Sequence, residues 1–272
     1  GCQKSLRGKV IYLMREGLDD QGTYFQIHEV ENTTPIVFIH GVGLNHKIWN
    51  PQIEFFKKQT TITYDLFCHG KSTCVFDQIS FEDFSSQING LLQFLRIQKT
   101  ILVGFSLGGL IAANYASTQK ETVEKLILFG TIHGRTDEEQ NAAVKRYEDV
   151  SKNFFDIQSQ LTRWFNQEYL DKNPEIAEMI SRILNENDHE EFLKSYKLLS
   201  YFKDSMIAFD EISSPTLIIT GENEVGSTPK MSKDMGTVIK GSKIEIIKKG
   251  KHLCGIECAD DVNKAFADFI ND

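Results

Sequence analysis

One serine lies between two glycines at the point where an apolar run ends. The stretch Gly104-Phe-Ser-Leu-Gly108 follows directly on Thr100-Ile-Leu-Val. Glycines placed two residues to either side of a serine are typical of a tight strand-to-helix turn that exposes a nucleophilic hydroxyl. Such a turn forces the serine into an unfavourable backbone conformation, and the glycines remove the Cβ atoms that would clash with it. The pattern predicts a nucleophile at Ser106, and the alternative is a turn with a purely structural role.

A serine hydroxyl needs a base within hydrogen-bond reach, and the base needs an orienting acid. In the architecture that carries this kind of turn, the acid and then the base follow the serine along the chain. Of the seven histidines, only His252 lies beyond the last apolar run. Glu222 and Glu224 follow an earlier apolar run. We predict Glu224 as the acid, with Glu222 in reserve. The alternatives are a surface histidine in a basic turn and two solvated loop glutamates.

Two backbone N–H groups are needed to bind the negative charge that develops on an attacked carbonyl. Leu107 follows the serine and is the first predicted donor. The second should come from the loop that begins at His40-Gly-Val-Gly, and we assign it to Val42, because the flanking glycines let the backbone approach closely. His40 itself lies at a strand end, which favours a structural hydrogen-bonding role.

Short apolar runs alternate with helical patterns over much of the chain. Several runs lack polar alternation, which is typical of strands in a mainly parallel sheet covered by helices on both faces. The predicted class is therefore α/β. The predicted strands are 9–14, 23–30, 35–40, 61–65, 100–104, 126–130, 215–221 and 243–248. The predicted helices are 47–59, 81–97, 107–117 and one that carries Val262 to Ile270.

The alternation stops after residue 131, and residues from about 135 to 210 have a helical and aromatic character. We predict one α/β core domain, formed by 1–134 and 211–272, with a helical cap inserted at 135–210. Most aromatic residues of the cap should form its own core. Others should line an apolar pocket at the carboxyl edge of the sheet, which favours small or medium acyl groups. The aromatic residues of the predicted cap are Phe154, Phe155, Trp164, Phe165, Tyr169, Phe192, Tyr196, Tyr201 and Phe202.

The charge balance excludes some classes of partner. The 272 residues include 38 acidic and 30 basic side chains, and the formal net charge is -8. Nucleic acids and anionic membranes bind basic surfaces, so neither is expected as the main partner. No stretch approaches the ~20 apolar residues that cross a bilayer. The first residues lack the apolar core of a signal peptide, so cytoplasm is the default prediction, with a removed leader left open.

Five cysteines make an odd count, which argues against a disulfide framework and fits a reducing compartment. Cys254 and Cys258 follow His252, so a metal site has to be considered. The spacing matches no familiar zinc pattern, and a fourth ligand is not apparent. We therefore expect the two cysteines on an apolar helix face, with no metal and no cofactor.

Five segments in this order resemble the α/β-hydrolase superfamily: His40-Gly-Val-Gly, Tyr64-Asp-Leu-Phe-Cys-His-Gly-Lys-Ser, Gly104-Phe-Ser-Leu-Gly-Gly, Pro215-Thr-Leu-Ile-Ile-Thr-Gly and Gly250-Lys-His-Leu. The resemblance spans nearly the whole chain. It implies an eight-stranded, mostly parallel sheet with a helical cap inserted after the sixth strand. Two positions depart from the family pattern, which usually has aspartate at Glu224 and often glycine at Cys68. The sequence looks most similar to small capped carboxylesterases and 3-oxoadipate enol-lactonase-like hydrolases.

Residues and resemblance together predict a cofactor-free serine hydrolase that cleaves small carboxylic esters through an acyl-enzyme. Two alternatives stay open. The same triad would serve an enol-lactone or carbon–carbon bond (meta-cleavage product) hydrolase. A non-catalytic ligand-binding protein could also be built on this fold. The oligomeric state is not predicted.

Overall fold

A computed structural model describes residues 13–153 and 156–272. Residues 9–12 of the first predicted strand, together with Cys2, Phe154 and Phe155, lie outside the described residues. The described strands are β1 (Leu13–Leu18), β2 (Tyr24–Glu29), β3 (Ile36–Ile39), β4 (Thr61–Tyr64), β5 (Thr100–Phe105), β6 (Val123–Phe129), β7 (Thr216–Gly221) and β8 (Lys243–Ile247).

These eight strands form one sheet in the spatial order β1-β2-β4-β3-β5-β6-β7-β8. β2 runs antiparallel to both of its neighbours, and the other adjacent pairs are parallel. The predicted α/β class with a mostly parallel eight-stranded sheet is confirmed. In a parallel sheet the loops that follow the strands meet at one edge, which is where open α/β sheets bind ligands.

The apolar runs without alternation are strands that are buried on both faces. In β3, Ile36 and Phe38 pack into one hydrophobic cluster, whereas Val37 and Ile39 pack into the other. Because successive side chains of a strand point to opposite faces, an all-apolar strand supplies both clusters at once.

The helices cover the two faces of the sheet and fill the long connection between β6 and β7. They are α1 (Asn50–Phe55), α2 (Phe81–Phe94), α3 (Leu107–Thr118), α4 (Asp137–Lys152), α5 (Ile157–Trp164), α6 (Gln167–Lys172), α7 (Pro174–Asn185), α8 (His189–Ser200), α9 (Pro229–Val238), α10 (Cys254–Glu257) and α11 (Ala259–Asn271). Within residues 13–153 and 156–272, no helix combines the length and the apolar character needed to cross a bilayer.

The five helices α4 to α8 lie between β6 and β7, where the sequence loses its strand pattern, and are called the inserted helices below. α4 begins with a capping box in which Thr136 and Glu139 satisfy each other's backbone N–H groups. The predicted helix 47–59 is shorter than expected, since a 3-10 turn over His46–Trp49 precedes α1. α9 was not predicted, although Thr228 caps it and Pro229 occupies its first turn.

One disulfide joins Cys68 to Cys74, six residues further along the chain. A local bond of this kind is not a framework, but the expectation of reduced cysteines is wrong for this pair. The loop turns back at Cys68, whose φ of 65° lies in the left-handed region that favours glycine, and this brings the two Cα atoms within 4.3 Å. An odd cysteine count cannot reveal such a turn. Cys254 and Cys258 are free thiols.

Candidate active site

Ser106 occupies the turn between β5 and α3 in a strained backbone conformation. Its φ is 55° and its ψ is -118°, a region that residues with a side chain rarely adopt. The neighbouring glycines are required by space, because a Cβ on Gly104 would lie 2.2 Å from the carbonyl oxygen of Gly108. A Cβ on Gly108 would lie 2.3 Å from the carbonyl oxygen of Ile39. The predicted strand–turn–helix geometry is therefore present at Ser106.

His252 lies in the loop between β8 and α10, with a side chain that is 13% exposed. Its ring packs against Phe105, with the ring centroids 4.7 Å apart, and against Trp164, with the centroids 5.8 Å apart. Phe105 directly precedes Ser106, so this contact holds the imidazole next to the serine turn. Ser106 and His252 line the same cavity.

Glu224 lies in the loop that follows β7, and its Oε2 is hydrogen-bonded to Nδ1 of His252. Its Oε1 accepts a hydrogen bond from the Gly226 N–H at 2.8 Å. Burial raises the pKa of the Glu224 carboxyl, but the nearby His252 and the backbone donors outweigh it, so the pKa lies below its ordinary value. The group is thus a buried carboxylate, 5% exposed, with both oxygens committed.

Glu222, the reserve candidate, points elsewhere. It is exposed, and its Oε2 accepts a hydrogen bond from the Lys249 N–H at 2.9 Å. Of the two glutamates, Glu224 meets the imidazole. Glutamate therefore reaches the histidine from the position where the superfamily usually has aspartate.

The loop 41–43 lies against the serine turn. A Cβ on Gly41 would lie 3.2 Å from the Cβ of Ser106, and Val42 lines the cavity. The Gly43 N–H is occupied, because it donates to Nε2 of His69 at 3.0 Å. Within the described part of the chain, no acceptor meets the Val42 N–H. Leu107 is the first residue of α3, so its N–H is one of the four that a helix leaves without an internal partner.

Two buried histidines hold this loop in place. Nε2 of His40 accepts a hydrogen bond from the Leu66 N–H at 2.9 Å, so Nδ1 carries the proton and donates to the Gly41 carbonyl at 2.7 Å. Burial lowers the pKa of His40 to about 3, which keeps its ring neutral. His69 anchors the same loop as an acceptor, because its Nε2 accepts from the Gly43 N–H, and burial lowers its pKa too. This geometry agrees with the structural role predicted for His40.

A cavity of about 200 Å³ lies between the serine turn and the inserted helices. Its core side carries Ser106, Glu224 and His252. Its outer side carries aromatic and aliphatic side chains but also, among the described residues, four charged ones, so the expectation of an apolar pocket is only partly correct. The charged side chains are Arg135, Glu139, Arg146 and Arg163. These arginines were not predicted; the sequence shows only that all three lie within residues 135–210.

Among the residues that the structure describes, one group has the composition and spacing of a metal site: His133, Asp204 and Asp234. His133 Nδ1 is already hydrogen-bonded to Asp234 at 2.6 Å, and none of the three lines the cavity. The sequence had raised His252, Cys254 and Cys258 instead. Cys254 is buried in the core of one hydrophobic cluster and Cys258 packs against it, as expected of an apolar helix face.

Residues 34–257 match the family described as alpha/beta hydrolase fold. The chain is similar to the (E)-2-((N-methylformamido)methylene)succinate hydrolase of Acinetobacter baylyi, with 27% identity over 246 residues, which cover 89% of this chain and 91% of the relative. It is also similar to 3-oxoadipate enol-lactonase 1 of the same species, with 28% identity over 249 residues, which cover 90% of this chain and 91% of the relative.

Among solved structures, the enol-lactonase of Burkholderia xenovorans superposes with a TM-score of 0.80 at 22% identity, covering 95% of this chain and 100% of that one. At this identity the likeness shows the fold alone. The family match spans residues 34–257, which is most of the chain. The chain therefore belongs to the alpha/beta hydrolase fold family.

Proposed function

We propose that this chain is a serine hydrolase that cleaves small carboxylic esters through an acyl-enzyme intermediate. The observation that carries the proposal is the buried Glu224–His252 hydrogen bond, which lies in the same cavity as the strained Ser106. A carboxylate on Nδ1 leaves Nε2 of the imidazole free to accept a proton, which is the arrangement that activates a serine hydroxyl.

The proposed reaction has two halves. Ser106 Oγ attacks the ester carbonyl carbon while Nε2 of His252 takes the hydroxyl proton, and the carbonyl π electrons move to oxygen. When the tetrahedral species collapses, His252 gives that proton to the departing alcohol. Water then attacks the acyl-enzyme with His252 as base, and the carboxylic acid leaves from Ser106. Glu224 keeps the proton of the neutral ring on Nδ1 and stabilises the imidazolium.

We assign the oxyanion site to the backbone N–H groups of Val42 and Leu107. The support is that the Val42 loop lies against Ser106 and that Leu107 begins α3, whose helix dipole favours negative charge there. We further propose that residues 135–210 act as a cap on the core formed by 1–134 and 211–272, because α4, α5 and α8 supply the outer side of the cavity.

An enol-lactone is the second candidate substrate, because the enol-lactonase relative is 28% identical over nine-tenths of the chain. A lactone is an internal ester, so the same attack on a carbonyl carbon applies. Ring opening leaves the departing enol attached to the acyl group until water releases the product.

The test is turnover of a chromogenic short-chain ester by the wild type and by Ser106→Ala. We expect turnover by the wild type and loss of at least about a thousandfold in the variant, with an unchanged melting temperature. Ser151→Ala is the matched control, because Ser151 is exposed on α4 and outside the cavity. Full activity of Ser106→Ala would remove the serine from the mechanism. A parallel panel of esters, enol-lactones and ring-cleavage dienoates then ranks the substrate classes.

A further inference from the structure

The charges on the cavity wall do not balance. Among the described residues, three arginines face the cavity, Arg135, Arg146 and Arg163, against the two carboxylates Glu139 and Glu224. This cationic excess occurs in a chain whose formal net charge is -8. A buried or half-buried charge is costly unless it is paired, so the partners of each group have to be accounted for.

Both carboxylates are already engaged. Glu224 uses one oxygen for His252 and the other for the Gly226 N–H. Glu139 accepts a hydrogen bond from the Thr136 N–H at 3.0 Å in the capping box of α4. The acids on the cavity wall are therefore tied to a histidine or to the backbone.

Arg135 is also engaged, since its Nη1 donates to the carbonyl oxygens of Leu199 and Ser200 at 3.0 and 3.3 Å. Arg146 is exposed at the rim of the cavity, close enough to Tyr196 to lower the pKa of its hydroxyl, although burial raises that pKa overall. Among the residues that the structure describes, no carboxylate lies within 4.0 Å of the guanidinium of Arg146 or Arg163.

Arg163 is the more confined of these two. It lies on α5, and its Nη2 would be 3.1 Å from a Cβ built on Gly226, which places the guanidinium beside the loop that carries Glu224. Burial and then repulsion by Arg146 lower its pKa, while Glu224 opposes the shift. The field at this end of the cavity is therefore unbalanced and would be relieved by an anion.

We propose that Arg163 and Arg146 form a subsite for a carboxylate on the substrate, so that the enzyme prefers esters or lactones that carry an anionic group. This inference rests on the proposed ester hydrolysis. Guanidinium groups match the planar geometry of a carboxylate with two parallel hydrogen bonds. Ser106 holds the reacting carbonyl on the core side, and the arginines of α4 and α5 hold the charged end on the cap side.

The test compares two substrates with the same acyl length and leaving group, 4-nitrophenyl hexanoate and the mono-4-nitrophenyl ester of adipic acid. The wild type should prefer the adipate ester by kcat/KM. Arg163→Gln and Arg146→Gln should each reduce the preference ratio about tenfold, and the double variant about a hundredfold. Arg163→Lys should restore part of the ratio, because it keeps the charge but loses the paired geometry.

Arg182→Gln is the matched control. Arg182 lies on α7, pairs with Glu178 at the surface, and does not line the cavity, so the ratio should not change. A wild type without preference for the adipate ester would overturn the inference. So would arginine variants that reduce both substrates equally.

A binding experiment separates this inference from the proposed function. Titration calorimetry of adipate into Ser106→Ala and into Ser106→Ala/Arg163→Gln does not depend on turnover. We expect adipate to bind the first protein about tenfold more tightly than the second, and inorganic phosphate to bind the first more weakly than adipate does. Equal adipate affinities, or phosphate that binds as tightly, would overturn the carboxylate subsite even where esters are hydrolysed.

Discussion

Replacing Glu224 with glutamine should disable the site while barely changing its shape. Glu224 has two oxygens and serves two donors, Nδ1–H of His252 and the N–H of Gly226. A glutamine side chain has one acceptor oxygen and one NH₂ group. One of the two donors must therefore face the NH₂ group.

The structure indicates which donor keeps the oxygen. The Gly226 N–H is fixed by the backbone and half-buried, and leaving it without an acceptor costs about 1–3 kcal/mol. The imidazole of His252 escapes the conflict by moving its proton to Nε2, so Nδ1 can accept from the NH₂ group. That tautomer cannot take the proton of Ser106. The carboxylate's stabilisation of the imidazolium is also lost, at about 1.5–3 kcal/mol for a hydrogen bond to a charged group.

Returning to the productive tautomer would leave the Gly226 N–H without an acceptor, and the imidazolium would still lack its carboxylate. These two costs together reach about 4 kcal/mol, which corresponds to about a thousandfold in kcat. The assay is steady-state hydrolysis of the preferred ester by wild type, Glu224→Gln and Glu222→Gln, with melting temperatures measured alongside. Glu222→Gln is the matched control, because Glu222 is exposed and away from the imidazole, and it should stay within about twofold of wild type. A folded Glu224→Gln variant with kcat within tenfold of wild type would refute this reasoning.

Three further predictions concern stability and are measured by urea unfolding. Gly104→Ala should lower the unfolding free energy by about 3 kcal/mol, because its Cβ would meet a backbone oxygen at 2.2 Å. In Gly17→Ala the Cβ would meet a single atom at 4.0 Å, so the loss should be less than about 1 kcal/mol. Equal losses would contradict the steric argument. His40 has a pKa of about 3 in the folded protein and about 6.5 in the unfolded chain. Its contribution to the free energy of unfolding is therefore complete above pH 6.5 and is lost as the pH falls towards 3. His40 alone should lower the unfolding free energy by about 2 kcal/mol between pH 7 and pH 5, and His69, whose pKa burial also lowers, should add a decrease of the same sign; a flat profile would speak against neutral buried rings. Replacing Cys68 and Cys74 with serine should lower the unfolding free energy by about 2 kcal/mol, as much as reduction lowers it in the wild type. If a reductant destabilised the double variant further, the loss could not be assigned to this disulfide.

The serine turn could be predicted because its physics is local. A tight strand-to-helix turn needs glycine on both sides, and Gly104 and Gly108 lie where the structure leaves no space for a Cβ. That His252 lies near Ser106 could be predicted because β5 and β8 run in the same direction, so the loop after β8 lies at the same edge of the sheet as the serine turn. The choice of Glu224 over Glu222 rested on position alone; Glu224 contacts the imidazole of His252, whereas Glu222 accepts from the Lys249 N–H.

Other features depend on how distant segments pack, and the sequence pattern does not contain them. No local pattern marks Arg135, Arg146 and Arg163, because only the packing of residues 135–210 against the core turns them toward one cavity. The Cys68–Cys74 bond depends on a left-handed turn at a residue that is not glycine. Such conformations are set by surrounding contacts rather than by local propensity.

The central claim is that Ser106 is a hydroxyl activated by His252, and the most direct measurement is covalent labelling with a fluorophosphonate followed by intact-mass and peptide mass spectrometry. We predict one adduct per chain, located on the peptide that contains Ser106, with labelling slowed at least about a hundredfold in His252→Ala. A folded protein that takes up no label, or that carries it on another residue, would contradict the account.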